Sequence, residues 1–181
     1  MDFMHDFFYK SDYGLFSDQT IIQLRNYAIE NSIMFYKNGN NSTGVYDGNY
    51  IMMFPSTANA VVDSLVNNSL FSTSTLIIKH PPGQSVVRHV DGVDFNRDTV
   101  LNIPLTLGKH TNTVFWESYN DDLPIAELSY ENSLPVVLNT TKIHSLENNT
   151  ENTRLTFQFE FSQPFQEIVF HLKNKTLFKS Y

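Results

Sequence analysis

The chain has 181 residues, 41% of them hydrophobic, 14% aromatic and 17% charged; that suffices for one domain with a substantial core and excludes a disordered chain. A formal net charge of −7, with only twelve Lys and Arg and no run of them, excludes a phosphate-backbone binder. The absence of cysteine excludes disulfides, thiolate metal sites and Cys nucleophiles, and fits a reducing compartment.

At the N-terminus Asp2 and Asp6 stand where a signal peptide would be basic, and no apolar run is long enough to span a bilayer. The expectation is a cytoplasmic protein with no membrane partner. Asn-x-Ser/Thr triplets such as those at Asn41, Asn67 and Asn139 are then by-products of nineteen Asn residues. Ser17-Asp18 offers an N-cap, and Ile21, Ile22, Leu24, Ala28 and Ile29 recur at helical spacing, predicting a helix over 18–31. Residues 38–49 are rich in turn formers and read as a loop or hairpin. Ser56 or Thr57 caps a second predicted helix over 56–67.

From about Ser74 the period changes to that of strands. Thr75–Lys79, Ser85–Val90, Thr99–Leu105, Thr111–Glu117, Ala126–Tyr130, Leu134–Asn139, Lys142–Leu146 and Arg154–Phe161 are β-prone, and Gly, Pro, Asn or Asp separates most of them. Eight short strands at roughly ten-residue spacing predict a double-sheet jelly roll or a barrel. Pro164 opens a terminal helix carrying Phe165, Ile168, Val169 and Leu172 at helical offsets. The expected organisation is a single domain: helices and loops over 1–73, a β core over 74–161, and a helix or tail over 162–181.

Candidate chemistry lies in the strand-rich half. Alternation puts His89 and Asp91 on one face of an extended segment, so both reach one ion. By itself His-x-Asp is common, and a polar strand end accounts for it. His144, fifty-three residues beyond Asp91 and within another predicted strand, changes the weighing. Two imidazoles and a carboxylate on three adjacent corners of an octahedron are the donor set of non-haem Fe(II), whereas Mg or Ca sites are mostly oxygen.

The run Lys79-His80-Pro81-Pro82-Gly83-Gln84-Ser85-Val86-Val87-Arg88-His89-Val90-Asp91-Gly92 resembles the turn and metal-binding strand of Fe(II)/2-oxoglutarate-dependent dioxygenases. His-x-Asp, then His144, then Arg154 ten residues on, is similar to the signature of their prolyl-hydroxylase-like and aspartyl/asparaginyl-hydroxylase-like branches. Asn96–Leu105 resembles a strand of small oxygenases from phages and marine microbes. The likeness covers residues 74–161. It implies a double-stranded β-helix with flanking helices, Fe(II) on His89, Asp91 and His144, and O2 and 2-oxoglutarate as cosubstrates. Arg154 and Thr156 would hold the distal carboxylate of 2-oxoglutarate, in an Arg-x-Ser/Thr element. Asn102, opposite the apolar face of Leu101, Ile103 and Leu105, would face the proximal carboxylate or a metal-bound water, or else be an Asn satisfied between the sheets. The implied reaction hydroxylates a C–H bond of a peptidyl residue, an amino acid or a small metabolite and forms succinate and CO2. Asp91 in place of a small residue disfavours halogenation. Oligomeric state is not readable.

Two other readings compete: a non-catalytic jelly-roll binding or structural protein, and a cupin-type metalloenzyme without 2-oxoglutarate, which would not need an inward cation at Arg154. In the last strand Arg154, Thr156 and Gln158 alternate with Leu155, Phe157, Phe159 and Phe161, a polar row for a cleft and an apolar row for covering helices. His5 and His171 are terminal and without partners at ligand spacing. His80 is expected in a loop, with a place at the active-site mouth as the lesser reading, His110 in a hairpin turn, Asp121-Asp122 in solvent, and Trp116 in the core or cleft wall. Asp94 and Asp98 lack the short spacing to a His. No Gly-rich phosphate loop, Gly-x-Ser-x-Gly or His-Glu-x-x-His occurs.

Overall fold

A computed structural model describes residues 6–34, 36–37, 50–53, 72–91, 97–106, 111–131 and 133–178. The helix expected over 56–67, the loop over 38–49, and His5, Asp94 and His110 fall outside these residues.

Eight strands form the core: β4 (Ser72–His80), β5 (Ser85–His89), β6 (Thr99–Thr106), β7 (Thr111–Phe115), β8 (Ala126–Ser129), β9 (Val136–Asn139), β10 (His144–Asn148) and β11 (Arg154–Phe161). Each overlaps one of the eight segments expected from the sequence. β4, β6, β9 and β11 lie in one sheet and β5, β7, β8 and β10 in the other, and every pairing is antiparallel. From β4 to β7 and again from β8 to β11 the chain alternates between the sheets, which makes a double-stranded β-helix. Three strands were not legible in the sequence: β1 (Phe8–Lys10), β2 (Tyr36–Lys37) and β3 (Tyr50–Met53). They extend the larger sheet to the order β1-β9-β6-β11-β4-β3-β2, so the N-terminal part contributes sheet as well as helix. At two to four residues each, they are too short to show a period of two.

The β11 alternation decides how the molecule is layered. Leu155, Phe157, Phe159 and Phe161 face helices α1 (Asp18–Glu30) and α2 (Phe165–Lys173), packing with Ile21, Leu24, Ala28, Phe165, Ile168 and Leu172 in one buried cluster. The Ser17 side chain accepts from Thr20 N–H at 3.2 Å and caps α1. Arg25 then fixes the helix on the sheet through two hydrogen bonds to Leu105 O, at 3.0 and 2.8 Å. On the opposite face of β11, Arg154, Thr156 and Gln158 line a cavity between the sheets.

The turn from β4 to β5 is set by Pro82-Gly83. Gly83 has φ +67° and Gln84 N–H bonds Pro81 O at 3.3 Å, the geometry of a type II turn, which requires a residue that tolerates positive φ. Asn148 clamps it: its fully buried amide donates to His80 O, Pro81 O and Asn152 O at 3.0, 2.9 and 2.9 Å. Among the described residues no helix is long and apolar enough to cross a membrane.

Candidate metal and carboxylate site

His89 ends β5 and His144 begins β10, and the two are register partners across the smaller sheet. Their ring centroids are 4.3 Å apart. Asp91 lies just past the end of β5, where its backbone N–H bonds Thr140 O at 3.0 Å. His89 Nε2 is 3.3 Å from Asp91 Oδ1 and His144 Nε2 is 3.8 Å from Asp91 Oδ2. One donor atom from each residue lies within 4.8 Å of the others, and all three side chains are buried.

Both imidazoles are held in one tautomer. His89 Nδ1–H donates to Val87 O at 2.8 Å and His144 Nδ1–H to Lys142 O at 2.9 Å. A carbonyl only accepts, so each ring turns its Nε2 lone pair toward Asp91. That arrangement orients a histidine for a metal. Burial would raise the Asp91 carboxyl, but the neighbouring Arg97 and the two imidazoles outweigh it and hold the group well below the usual carboxylate range. Burial and then the neighbouring His89 push His144 down to about 4. The triad thus offers two imidazole Nε2 atoms and one carboxylate, the donor set that suits Fe(II).

The depressed His144 makes a pH prediction. The unfolded chain titrates this histidine near 6.5 and the folded chain near 4, so between these values the unfolded state binds more protons. Stability of the chelator-treated protein should fall as pH drops from about 6.5 to 4, by up to about 3 kcal/mol. Melting temperatures across that window test it, and a flat profile contradicts a buried neutral His144.

Arg154, 1% exposed, sits in the same cavity. Its Nε donates to Thr156 Oγ1 at 3.1 Å, and its guanidinium carbon lies 4.2 Å over the Tyr130 ring. Tyr130 OH is in turn 2.7 Å from Thr113 Oγ1. Arg154 Nη1 is buried and has no hydrogen-bond partner, and no ion pair to Arg154 occurs among the described residues. A buried cation without a counter-ion is costly. The side chain suits an anionic guest with a planar, two-oxygen edge.

Asn102 also lines the cavity, 5% exposed, with Oδ1 lacking a partner. The cavity, of about 60 Å³, is also walled by apolar Ile78, Val86, Val100, Leu138 and Leu146, with Thr113, Thr140 and Gln158 among its polar lining. All six residues singled out from the sequence therefore converge: His89, Asp91, His144, Arg154, Thr156 and Asn102 line one space.

Four further residues of the site were not found from the sequence. His80 was expected in a loop, yet it ends β4 as the register partner of Arg154 and lines the cavity, 3% exposed, with Nδ1 unpartnered. Burial and Arg154 hold it well below the ordinary histidine range. Arg97 bridges Asp91 and Glu160. Tyr130 and Thr113 support Arg154. Only Arg97 left a trace, a lone cation six residues past Asp91. The remaining candidates stay outside: His171 Nδ1 is 2.9 Å from Thr176 Oγ1, Asp121 accepts from Ser118, and Asp98 serves through its backbone. Trp116 is half-buried and does not line the cavity; it stacks under the Arg88 guanidinium at 3.4 Å and donates to Ser145 Oγ at 3.0 Å.

No family model matches the chain, and no curated protein is similar to it in sequence. Solved structures are. A prolyl hydroxylase from Trichoplax adhaerens, in complex with a hypoxia-inducible-factor peptide fragment, matches at TM-score 0.63 and 14% identity over 87% of this chain and 84% of its own. The non-haem α-ketoglutarate-dependent carbocyclase SnoK of nogalamycin biosynthesis matches at TM-score 0.67 and 11% identity, over 88% and 80%. The viral collagen prolyl hydroxylase of Paramecium bursaria Chlorella virus-1, a 2-oxoglutarate complex, matches at TM-score 0.57 and 16% identity, over 85% and 94%. The chain has the fold of the 2-oxoglutarate-dependent oxygenases. Within this fold, the His-Asp-His triad occupies the interior between the sheets, and the resemblance read from the sequence implies the same fold.

Proposed function

We propose that the protein is a non-haem Fe(II)- and 2-oxoglutarate-dependent oxygenase that hydroxylates a C–H bond of a peptidyl residue, an amino acid or a small metabolite. One observation carries the reading: the oriented triad shares a cavity with a buried Arg154 that has no counter-ion among the described residues. A cupin without an anionic cosubstrate gives no reason for that cation, and a binding jelly roll gives no reason for two histidines locked with Nε2 inward.

His89, Asp91 and His144 would hold Fe(II), and Arg154 with Thr156 the distal carboxylate of 2-oxoglutarate. Bound there with 2-oxoglutarate and O2, Fe(II) would supply the oxidation of a substrate C–H to C–OH, with succinate and CO2 formed from the cosubstrate. The chain's own work is orientation and exclusion. The Val87 and Lys142 carbonyls fix the imidazoles. Ionised Asp91 supplies the charge that makes the site bind a dication. Thr156 and the Tyr130 face hold the Arg154 fork in place before the guest arrives, so little side-chain entropy is lost on binding. The apolar walls keep water away and strengthen these charged contacts. The peptide bound to the Trichoplax hydroxylase makes a peptidyl substrate one arm of any substrate search.

The test is conversion of 2-oxoglutarate to succinate with added Fe(II), with and without peptide and amino-acid pools. No Fe(II)-dependent succinate under any of these conditions would overturn the reading. Asn102→Ala refines it. With Oδ1 unpartnered in the triad's cavity, Asn102 as a site residue predicts slower succinate formation at a nearly parental melting temperature. Loss of stability as the first effect would make it a structural amide.

A further inference from the structure

Arg97 stands at the entry to β6 and reaches back to the triad. Its Nη2 lies 2.8 Å from Asp91 Oδ1, while Nη1 pairs with Glu160 on β11. The three side chains are only 14%, 6% and 15% exposed. Glu160 is fixed in turn: it accepts from Ser74 Oγ–H on β4 and from Gln158 Nε2 at 3.2 Å. The guanidinium is thus anchored on the larger sheet at one end and grips the triad carboxylate at the other. Surface ion pairs contribute little, because both partners wander; this one is held.

A carboxylate with one oxygen committed to a fixed cation has one oxygen left to give. Oδ1 faces Arg97 at 2.8 Å and His89 Nε2 at 3.3 Å, and Oδ2 lies 3.8 Å from His144 Nε2. We propose that Arg97 is a positioning residue that confines Asp91 to donation through a single oxygen, with Glu160 holding Arg97 to that task. The inference rests on the metal reading of the triad and adds to it. A one-oxygen Asp91 with two imidazoles fills three of six octahedral positions. A carboxylate donating both oxygens would fill a fourth, taking a position needed by cosubstrate or O2. An ion pair that served only the fold would leave the number of open positions unchanged.

Bound Mn(II) reads that number directly, because its enhancement of water-proton relaxation scales with the exchangeable waters on the ion. The parent protein is compared with Arg97→Gln/Glu160→Gln, which removes opposite charges together, and with Arg97→Met, which keeps the apolar stem. Both variants should still bind Mn(II), with the relaxation enhancement per bound ion lowered by about a third, one water in three. Arg97→Lys, which restores a cation beside Oδ1, should recover most of the parental value. Parental enhancement in the folded Gln/Gln and Met variants would overturn the proposal while leaving the triad intact. Failure of the parent to bind Mn(II), or unchanged affinity in His144→Ala, would instead remove the metal reading itself.

Discussion

His144→Ala is expected to abolish tight Fe(II) binding, weakening it by more than about 100-fold, because even partners outside the ligand set are worth 10–100-fold in metal sites. The substitution removes one of three donors and leaves His89 and Asp91 alone. Folding should survive. The imidazole borders an existing cavity, among the described residues it hydrogen-bonds the Lys142 carbonyl, and keeping it neutral and buried has a cost that alanine does not carry. The melting temperature of the chelated variant at pH 7 should therefore lie within a few degrees of the parent. The variant should also lose part of the pH dependence of stability between about 6.5 and 4, the share that His144 supplies beside buried His80. Iron titration and melting curves on the same samples check all of this. Parental iron affinity in a folded variant would show that His144 is not a ligand.

The eight-strand core was legible because each strand carries its own short-range signal. Arg154–Phe161 states both of its faces in eight residues, and the structure uses both, the Phe row under α1 and α2 and the polar row in the cavity. The triad was legible for a different reason: His89 and Asp91 are two residues apart, and His144 starts a strand that could lie beside them. His80 was misread because Pro81-Pro82-Gly83 dominates its surroundings, and the antiparallel pairing that sets it beside Arg154 spans seventy-four residues. Arg97 and Glu160 lie sixty-three residues apart and meet through the β6–β11 pairing. Charge partners at such separations leave no periodic trace, and a lone Arg reads as surface.

Arg154→Ala is expected to weaken 2-oxoglutarate binding by about 2–5 kcal/mol, the usual cost of truncating one partner of a buried charge pair. A lysine should recover only part of this, because a point charge cannot reproduce a planar fork and Lys has no flat face to lay on Tyr130. The sharper signature lies in stability. In the absence of cosubstrate Arg154 is a buried cation with no counter-ion among the described residues, so removing it should leave the melting temperature unchanged or raise it. Saturating 2-oxoglutarate with Mn(II) should raise the parent's melting temperature by mass action, by about 2.7 kcal/mol of stability at 100-fold excess over Kd. The Ala variant should show little of that gain. A purely structural Arg154 gives the opposite pair of results, a lower melting temperature without ligand and an undiminished gain with it. Isothermal titration and paired melting curves separate the two, and equal 2-oxoglutarate affinity in parent, Ala and Lys proteins would leave the cation in the cavity without a guest.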